Sequence, residues 1–293
     1  MTNLDEIAAA ATELSRAGRW QRALSLLDSV PPPERERLAL TAAETALECD
    51  WYTGTALAEE RLAAARQAGG PSWDLDFLVL RHDYFRQLSG DSDSDSDSDS
   101  DDSGGDGNSD GDSDDSDDDS DGDSGGDSPT PVRGPDAQGA EALRDRAAKL
   151  AVSAEDETRR GWAEMYRGLI ADNLLGAREA APRHYEAAHA AGEAGDDLLL
   201  WEALRHLGDH DRDNGDLASA RDRWQRAAAI GARAGLVPRT LSQQMLLAVL
   251  ARDEGDEAGA ARLAAEIARW TQAIGAHRLH TQATSFLAGA AVV

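Results

Sequence analysis

The chain has 293 residues, of which 41% are apolar, so it is long enough to bury a sizeable core. Its net charge is -27, but residues 91–128 hold eighteen Asp and no Lys or Arg, so most of the acidity is local. Lys149 is the only lysine, and no cluster of basic residues offers a face to nucleic acid, which excludes direct nucleic-acid binding, a P-loop and a protein kinase.

Signals for export and membrane insertion are absent from the pattern. The acidic start of the chain has no basic segment followed by an apolar one, and no apolar run approaches the roughly 20 residues that cross a bilayer. Cys49 is the only cysteine, so an intrachain disulfide is impossible. We therefore predict a cytoplasmic protein, and the excess of Arg over Lys is typical of a high-GC bacterial genome.

In chain order, apolar residues recur at helical spacing and short breaks separate the segments, which predicts helix after helix and an all-α fold. The breaks predict helical hairpins at 3–30, 34–68, 73–151, 158–192, 197–234 and 238–275, followed by a capping helix at 277–290. The third hairpin is interrupted, since its first helix ends near Leu88 and its second resumes with Ala140, Leu143, Ala147 and Leu150. We expect three regions: hairpins at 1–88, an insertion at 89–134 and hairpins at 135–293.

The C-terminal half repeats with a period near 40. The turn glycines Gly176, Gly215 and Gly255 set the register. Five, nine and twelve residues beyond them stand positions that should pack the second helix of each hairpin against the first: Ala181, Ala220 and Ala260, then Tyr185, Trp224 and Ala264, then Ala188, Ala227 and Ile267.

This pattern resembles the tetratricopeptide repeat (TPR) family, and the closest match is Leu204, Leu207, Gly208, Gly215, Ala220, Trp224 and Ala227. The sequence departs from the family at Asp211, where Tyr is usual, at Ala232, where Pro is frequent, and in its period, which exceeds the usual 34. The resemblance implies an α-solenoid of about six hairpins in a right-handed superhelix, with a concave groove lined by the first helix of each hairpin.

Carrying the groove positions over nominates residues for binding a partner peptide or protein: Tyr166, Ile170 and Asn173 from the fourth hairpin, Arg205, Asp209, Arg212 and Asp213 from the fifth, and Met245, Val249 and Arg252 from the sixth. Arginines at these positions suit a carboxylate of an extended peptide. The alternative is that these charges only solvate a helix face.

The acidic segment contains only Asp, Ser, Gly and one Asn, which predicts a disordered insertion within the third hairpin. A weak calcium-loop match uses Asp106, Asn108, Asp110, Asp112, Asp114 and Asp117, with Gly111 at the sixth position. Such matches arise by chance in a sequence this rich in Asp. Diffuse cation binding, docking on a basic partner, shielding of the groove and no specific role remain alternatives.

Chemistry beyond binding has weak support. His206 and His210 have the spacing that can hold zinc from one helix face, but their helix also carries the packing positions Leu207 and Gly208 and no third ligand is evident. Cys49 is expected to be a small buried residue rather than a nucleophile. We therefore expect no enzyme and no cofactor. The first hypothesis is a protein-interaction scaffold, and the alternative is a sensor domain for a small molecule or signalling peptide. The partner, the pathway and the oligomeric state stay open.

Overall fold

The computed structural model describes residues 3–90 and 136–289, and over these residues the protein is all-helical, with no strand. The fold class expected from the helical periodicity is therefore confirmed. Two short 3-10 turns, Glu36–Leu38 and Arg178–Ala180, accompany the α-helices. The α-helices are α1 Leu4–Arg16, α2 Trp20–Asp28, α3 Pro32–Arg35, α4 Ala39–Thr53, α5 Ala58–Gly69, α6 Trp73–Ser89, α7 Ala137–Ser153, α8 Glu157–Asn173, α9 Ala181–Glu193, α10 Asp197–Asp213, α11 Leu217–Arg233, α12 Val237–Asp253, α13 Glu257–Ile274 and α14 His277–Leu287.

Aspartates begin many of these helices. The carboxylate of Asp196 accepts hydrogen bonds from the backbone N–H groups of Leu198 and Leu199, both at 3.0 Å. Asp216 and Asp256 cap α11 and α13 in the same way. A side-chain acceptor at this position satisfies N–H groups that have no partner within the helix. The acidic breaks seen in the sequence are therefore helix starts.

Small residues allow the second helix of each hairpin to lie close to the first. All nine positions predicted from the period near 40 are completely buried: Ala181, Tyr185, Ala188, Ala220, Trp224, Ala227, Ala260, Ala264 and Ile267. Gly208 of α10 lies against the Trp224 indole, which donates a 2.9 Å hydrogen bond to the carbonyl of Arg205. The predicted packing positions are therefore confirmed.

The interrupted hairpin also forms. In α7, Ala140, Leu143, Ala147 and Leu150 are buried in one core cluster with Tyr84 of α6. The apolar pattern before residue 90 and the one after residue 136 therefore belong to helices that pack on each other. The insertion at 89–134 lies almost entirely outside the described residues.

Most helices pack on their neighbours in sequence, and α14 also packs on α4. At this contact Arg278 lies 4.9 Å from the ring centre of Trp51. Trp20 of α2 shares a core cluster with Met245 of α12 and Ile267 of α13. The succession of helix contacts therefore returns from α14 to α4, and six helices, α4, α6, α8, α10, α12 and α14, line one cavity, here called the central cavity.

Candidate functional site

The central cavity has a volume of about 550 Å³ and is lined by residues of α4, α6, α8, α10, α12 and α14. Binding pockets for small molecules usually measure roughly 300–1,000 Å³. In α8, Trp162, Tyr166, Leu169 and Asn173 face the cavity, at the three- and four-residue steps that keep side chains on one face of a helix. The cavity therefore collects one face from each of these helices.

Aromatic side chains form one wall of the cavity. The sequence holds 7 Trp, 4 Tyr and 3 Phe, and half of these residues line the cavity: Trp51, Tyr52, Tyr84, Phe85, Trp162, Tyr166 and Trp201. Tyr84 meets Tyr166 edge to face, with ring centres 5.5 Å apart. Burial raises the pKa of Tyr166 to about 12 and also raises that of Tyr84, so both hydroxyls stay protonated at neutral pH. This wall suits an apolar or aromatic ligand group.

A buried ion cluster joins helices from distant parts of the chain. Arg239 of α12 donates two hydrogen bonds to the carboxylate of Glu48 in α4, at 2.7 and 2.8 Å, and Arg81 of α6 donates a third at 2.8 Å. Burial by itself would raise the pKa of Glu48, but the charges and hydrogen bonds of the two arginines outweigh it and lower that pKa to about 2. The Glu48 carboxylate is therefore ionised and fully paired.

Most other charges of the cavity are paired as well. Arg178 contacts Asp172 at 3.2 Å and also contacts Asp213. Arg212 contacts Asp253 at 2.8 Å. These pairs lie at helix ends, where their side chains neutralise one another.

Arg205 lies on the cavity wall without a carboxylate partner among the described residues. One terminal nitrogen donates a 3.1 Å hydrogen bond to the hydroxyl of Ser242 in α12. The guanidinium also lies 5.8 Å from the ring centre of Trp201. A guanidinium has five N–H donors, so Arg205 keeps donors for a ligand.

Asp209 lies one helical turn beyond Arg205 and is 31% exposed. Its only ionisable neighbour within ion-pair distance in the described part of the chain is His206, whose Nδ1 is 3.5 Å away. Burial lowers the pKa of His206 well below its usual value, so this imidazole is neutral. Burial raises the pKa of Asp209 to about 6, against the opposing effect of Arg205. Among the described residues, Asp209 therefore has no charged cation at ion-pair distance, although Arg205 is near enough to oppose the rise in its pKa.

Most of the residues predicted for the groove lie on the lining of this cavity. Those on its lining are Tyr166, Asn173, Arg205, Asp209, Arg212, Asp213 and Val249. They come from the hairpins and helix faces that the resemblance nominated.

Three predicted residues need correction. Ile170 and Met245 are completely buried in the core and do not line the cavity. Each lies one residue away from a cavity position, Leu169 or Leu246, and one residue turns a helix by about 100°. Arg252 also lies off the cavity, because its guanidinium stacks 3.3 Å from the Phe286 ring centre and donates to the Phe286 carbonyl.

Several lining residues have no direct signal in the sequence. Glu48 and Arg239 are 191 residues apart in the chain, and no short-range pattern indicates such a contact. Trp162 does have a usable signal, since it lies four residues before Tyr166 on the same helix face. The N-terminal hairpins, which supply Trp51 and Arg81, have a less regular period, so the register of the C-terminal repeats does not extend to them.

The remaining candidate residues have structural partners. His206 stacks on Tyr185, with ring centres 5.2 Å apart, while His210 contacts Asp172 at 2.9 Å. Within residues 3–90 and 136–289, no three His, Cys, Asp or Glu side chains come together as a metal site. Cys49 is a buried free thiol, as expected. The calcium-loop residues lie outside the described residues.

Comparisons with models of protein families and with the curated proteins find no match to this chain. No helix in the described part of the chain combines the length and apolar character that a membrane crossing needs. Function is therefore inferred from the geometry and chemistry of the cavity.

Proposed function

We propose that this chain is a TPR-like helical-repeat module that binds a small molecule or a short peptide in its central cavity and acts as a ligand-responsive sensor. The observation that carries the proposal is a cavity of about 550 Å³ with an aromatic wall, in which neither Arg205 nor Asp209 forms an ion pair with a charged group of the described residues. The TPR-like assignment is supported by α8, α10 and α12, which begin 40 residues apart at Glu157, Asp197 and Val237.

The cavity favours this sensor over a scaffold with an open groove. An extended protein segment needs a long groove, whereas the volume of about 550 Å³ lies in the range of small-molecule pockets. The proposal assigns binding, not catalysis, to the cavity. It also places the protein in the cytoplasm, where the unpaired thiol of Cys49 is stable.

A scaffold that binds a protein partner is the second candidate. The paired charges at the helix ends, including Arg212 with Asp253, support it, because a polar rim around an apolar centre is typical of protein interfaces. In this case the partner inserts a chain terminus or a short segment into the cavity.

Native mass spectrometry of the full chain tests the proposal, together with thermal shifts measured against a library of metabolites and short peptides. Leu246 lines the cavity, so Leu246→Trp should fill it and abolish binding. Leu40→Trp is the matched control, because Leu40 is exposed and does not line the cavity. The proposal fails if no compound binds, or if Leu246→Trp and Leu40→Trp bind equally well.

A further inference from the structure

We infer that the cavity binds a free α-amino acid with an apolar or aromatic side chain, whose carboxylate contacts Arg205 and whose ammonium group contacts Asp209. This inference rests on the proposed binding function and adds the chemistry of the ligand. It follows from which cavity charges are left without a partner.

A ligand cannot use most of the cavity charges without breaking existing contacts. Glu48 has hydrogen bonds from both Arg81 and Arg239. Arg178 contacts both Asp172 and Asp213, so a ligand would have to displace one of these carboxylates to use it. The charges available to a ligand are therefore those outside these pairs.

Arg205 supplies the contact for the carboxylate of the ligand. Its side chain is fixed by the Ser242 hydroxyl at 3.1 Å and by the Trp201 ring, while it has no carboxylate partner among the described residues. A carboxylate is the anion whose two oxygens match the planar guanidinium. A preorganised arginine also loses little side-chain entropy when the ligand binds.

Asp209 supplies the contact for the ammonium group of the ligand. Its neighbour His206 is neutral, so a ligand ammonium would be the first full positive charge in contact with this carboxylate. Residues four apart on a helix have Cβ atoms about 5–6 Å apart. Arg205 and Asp209 are therefore close enough to contact the two charged groups that a single α-carbon carries in an amino acid.

The repeat itself shows that this pair is an exception. The positions 40 residues before and after Arg205 are Met165 and Met245, and those equivalent to Asp209 are Leu169 and Val249. Helices α8 and α12 therefore have apolar residues at both positions, and of these three helices only α10 carries charges there. A local break in such a pattern is a frequent mark of a functional site.

The aromatic wall then determines the side chain of the ligand. Trp162 and Tyr166 of α8 line the same cavity as Arg205 and Asp209 of the adjacent helix α10. An apolar or aromatic side chain buries its surface against these rings.

Calorimetric titration of the full chain tests this inference. The probes are the set of proteinogenic L-amino acids, together with phenethylamine, which lacks the carboxylate, and 3-phenylpropanoate, which lacks the ammonium group. We expect saturable binding of one or more apolar or aromatic amino acids. Each analogue should bind about tenfold or more weakly than L-phenylalanine or the preferred amino acid, since each loses one charged contact.

Two near-isosteric variants assign the contacts. Arg205→Gln should weaken amino-acid binding by about tenfold or more and leave phenethylamine unchanged. Asp209→Asn should weaken it similarly and leave 3-phenylpropanoate unchanged. Arg233→Gln is the control, because Arg233 pairs with Asp197 and does not line the cavity. Unchanged circular dichroism and melting temperature show that the variants fold.

The inference is overturned if no amino acid gives saturable heat, or if 3-phenylpropanoate binds as tightly as the amino acid. If a ligand of another class then binds in a manner sensitive to Leu246→Trp, the proposed function stands and only the amino-acid inference fails. If no compound binds, both fail.

Discussion

Replacing Glu48 by Gln should destabilise the protein strongly, because Glu48 neutralises two buried arginines. Arg81 and Arg239 are only 6% and 9% exposed. Gln keeps the shape of the side chain but removes its charge, so both guanidinium groups remain buried with only weaker contacts, Arg81 to Glu44 at 3.5 Å and Arg239 to Glu202 at 3.4 Å. Removing one partner of a buried ion pair costs about 3–5 kcal/mol.

The pKa of Glu48 gives an independent magnitude. It falls from 4.5 to about 2 on folding, a difference worth about 3 kcal/mol. Because the pKa is lowered in the folded state, this stabilisation is fully present above pH 4.5 and is lost as the pH falls towards 2. The difference in stability between the wild type and Glu48→Gln should therefore shrink over that acid range.

Urea denaturation at pH 7 and at lower pH measures the free energy of unfolding of both proteins. Urea carries no charge, so it does not screen the ion cluster. Glu44→Gln is the matched control on the same helix, since Glu44 is 52% exposed and, within the described part of the chain, forms an ion pair with Arg81 alone. An exposed pair of this kind contributes about 1 kcal/mol or less. If Glu48→Gln loses no more unfolding free energy than Glu44→Gln at pH 7, the ion cluster does not stabilise the fold and the reasoning is refuted.

Three further changes test other parts of the structure. Asp209→Asn should stabilise the ligand-free protein by about 1–2 kcal/mol at pH 7 and not at pH 4. The reason is that the pKa of Asp209 is raised to about 6 in the folded state, so the stability of the wild type falls as the pH rises from 4 towards 6. Urea titrations at both pH values measure this difference, and equal effects at both would contradict it. Gly208→Ala should lower stability by about 1–3 kcal/mol although Ala has the better helix propensity, because its Cβ would overlap the Trp224 indole. A higher melting temperature for the variant would contradict this packing. Asp196→Ala should lower the free energy of unfolding by about 1–2 kcal/mol, since it removes the cap of α10 and the acceptor of the Trp162 indole N–H at 2.9 Å. Asp197→Ala, which removes a neighbouring exposed carboxylate, is the control.

Local rules were sufficient for the helices and for their packing within hairpins. Apolar spacing, turn glycines and small residues depend on neighbours within about 40 positions, and they located Ala220, Trp224 and Ala227 as buried residues. They also showed that the pattern ending at Leu88 resumes at Ala140. Contacts of this kind repeat along the chain, so one well-defined hairpin informs the next.

The cavity required information that local rules lack. Tyr166 and Asn173 lie on the cavity side of α8 and Ile170 on its core side, because the boundary between the two sides depends on the neighbouring helices. Helices α4 and α12 are joined by Glu48 and Arg239, which are 191 residues apart. Nothing in the spacing of either residue indicates its partner.

The two kinds of charge in the cavity have opposite consequences for stability, and this contrast supports the assignment of function. Glu48 has a lowered pKa because its partners are in place, so its charge stabilises the fold. Asp209 has a raised pKa because burial is not compensated, so its charge destabilises the ligand-free fold. The apolar residues at the equivalent positions, Leu169 and Val249, would avoid that cost. A ligand cation that pairs with Asp209 would remove this destabilising effect, which would explain why a carboxylate stands at this position. Ligand binding should then stabilise the wild type more than Asp209→Asn.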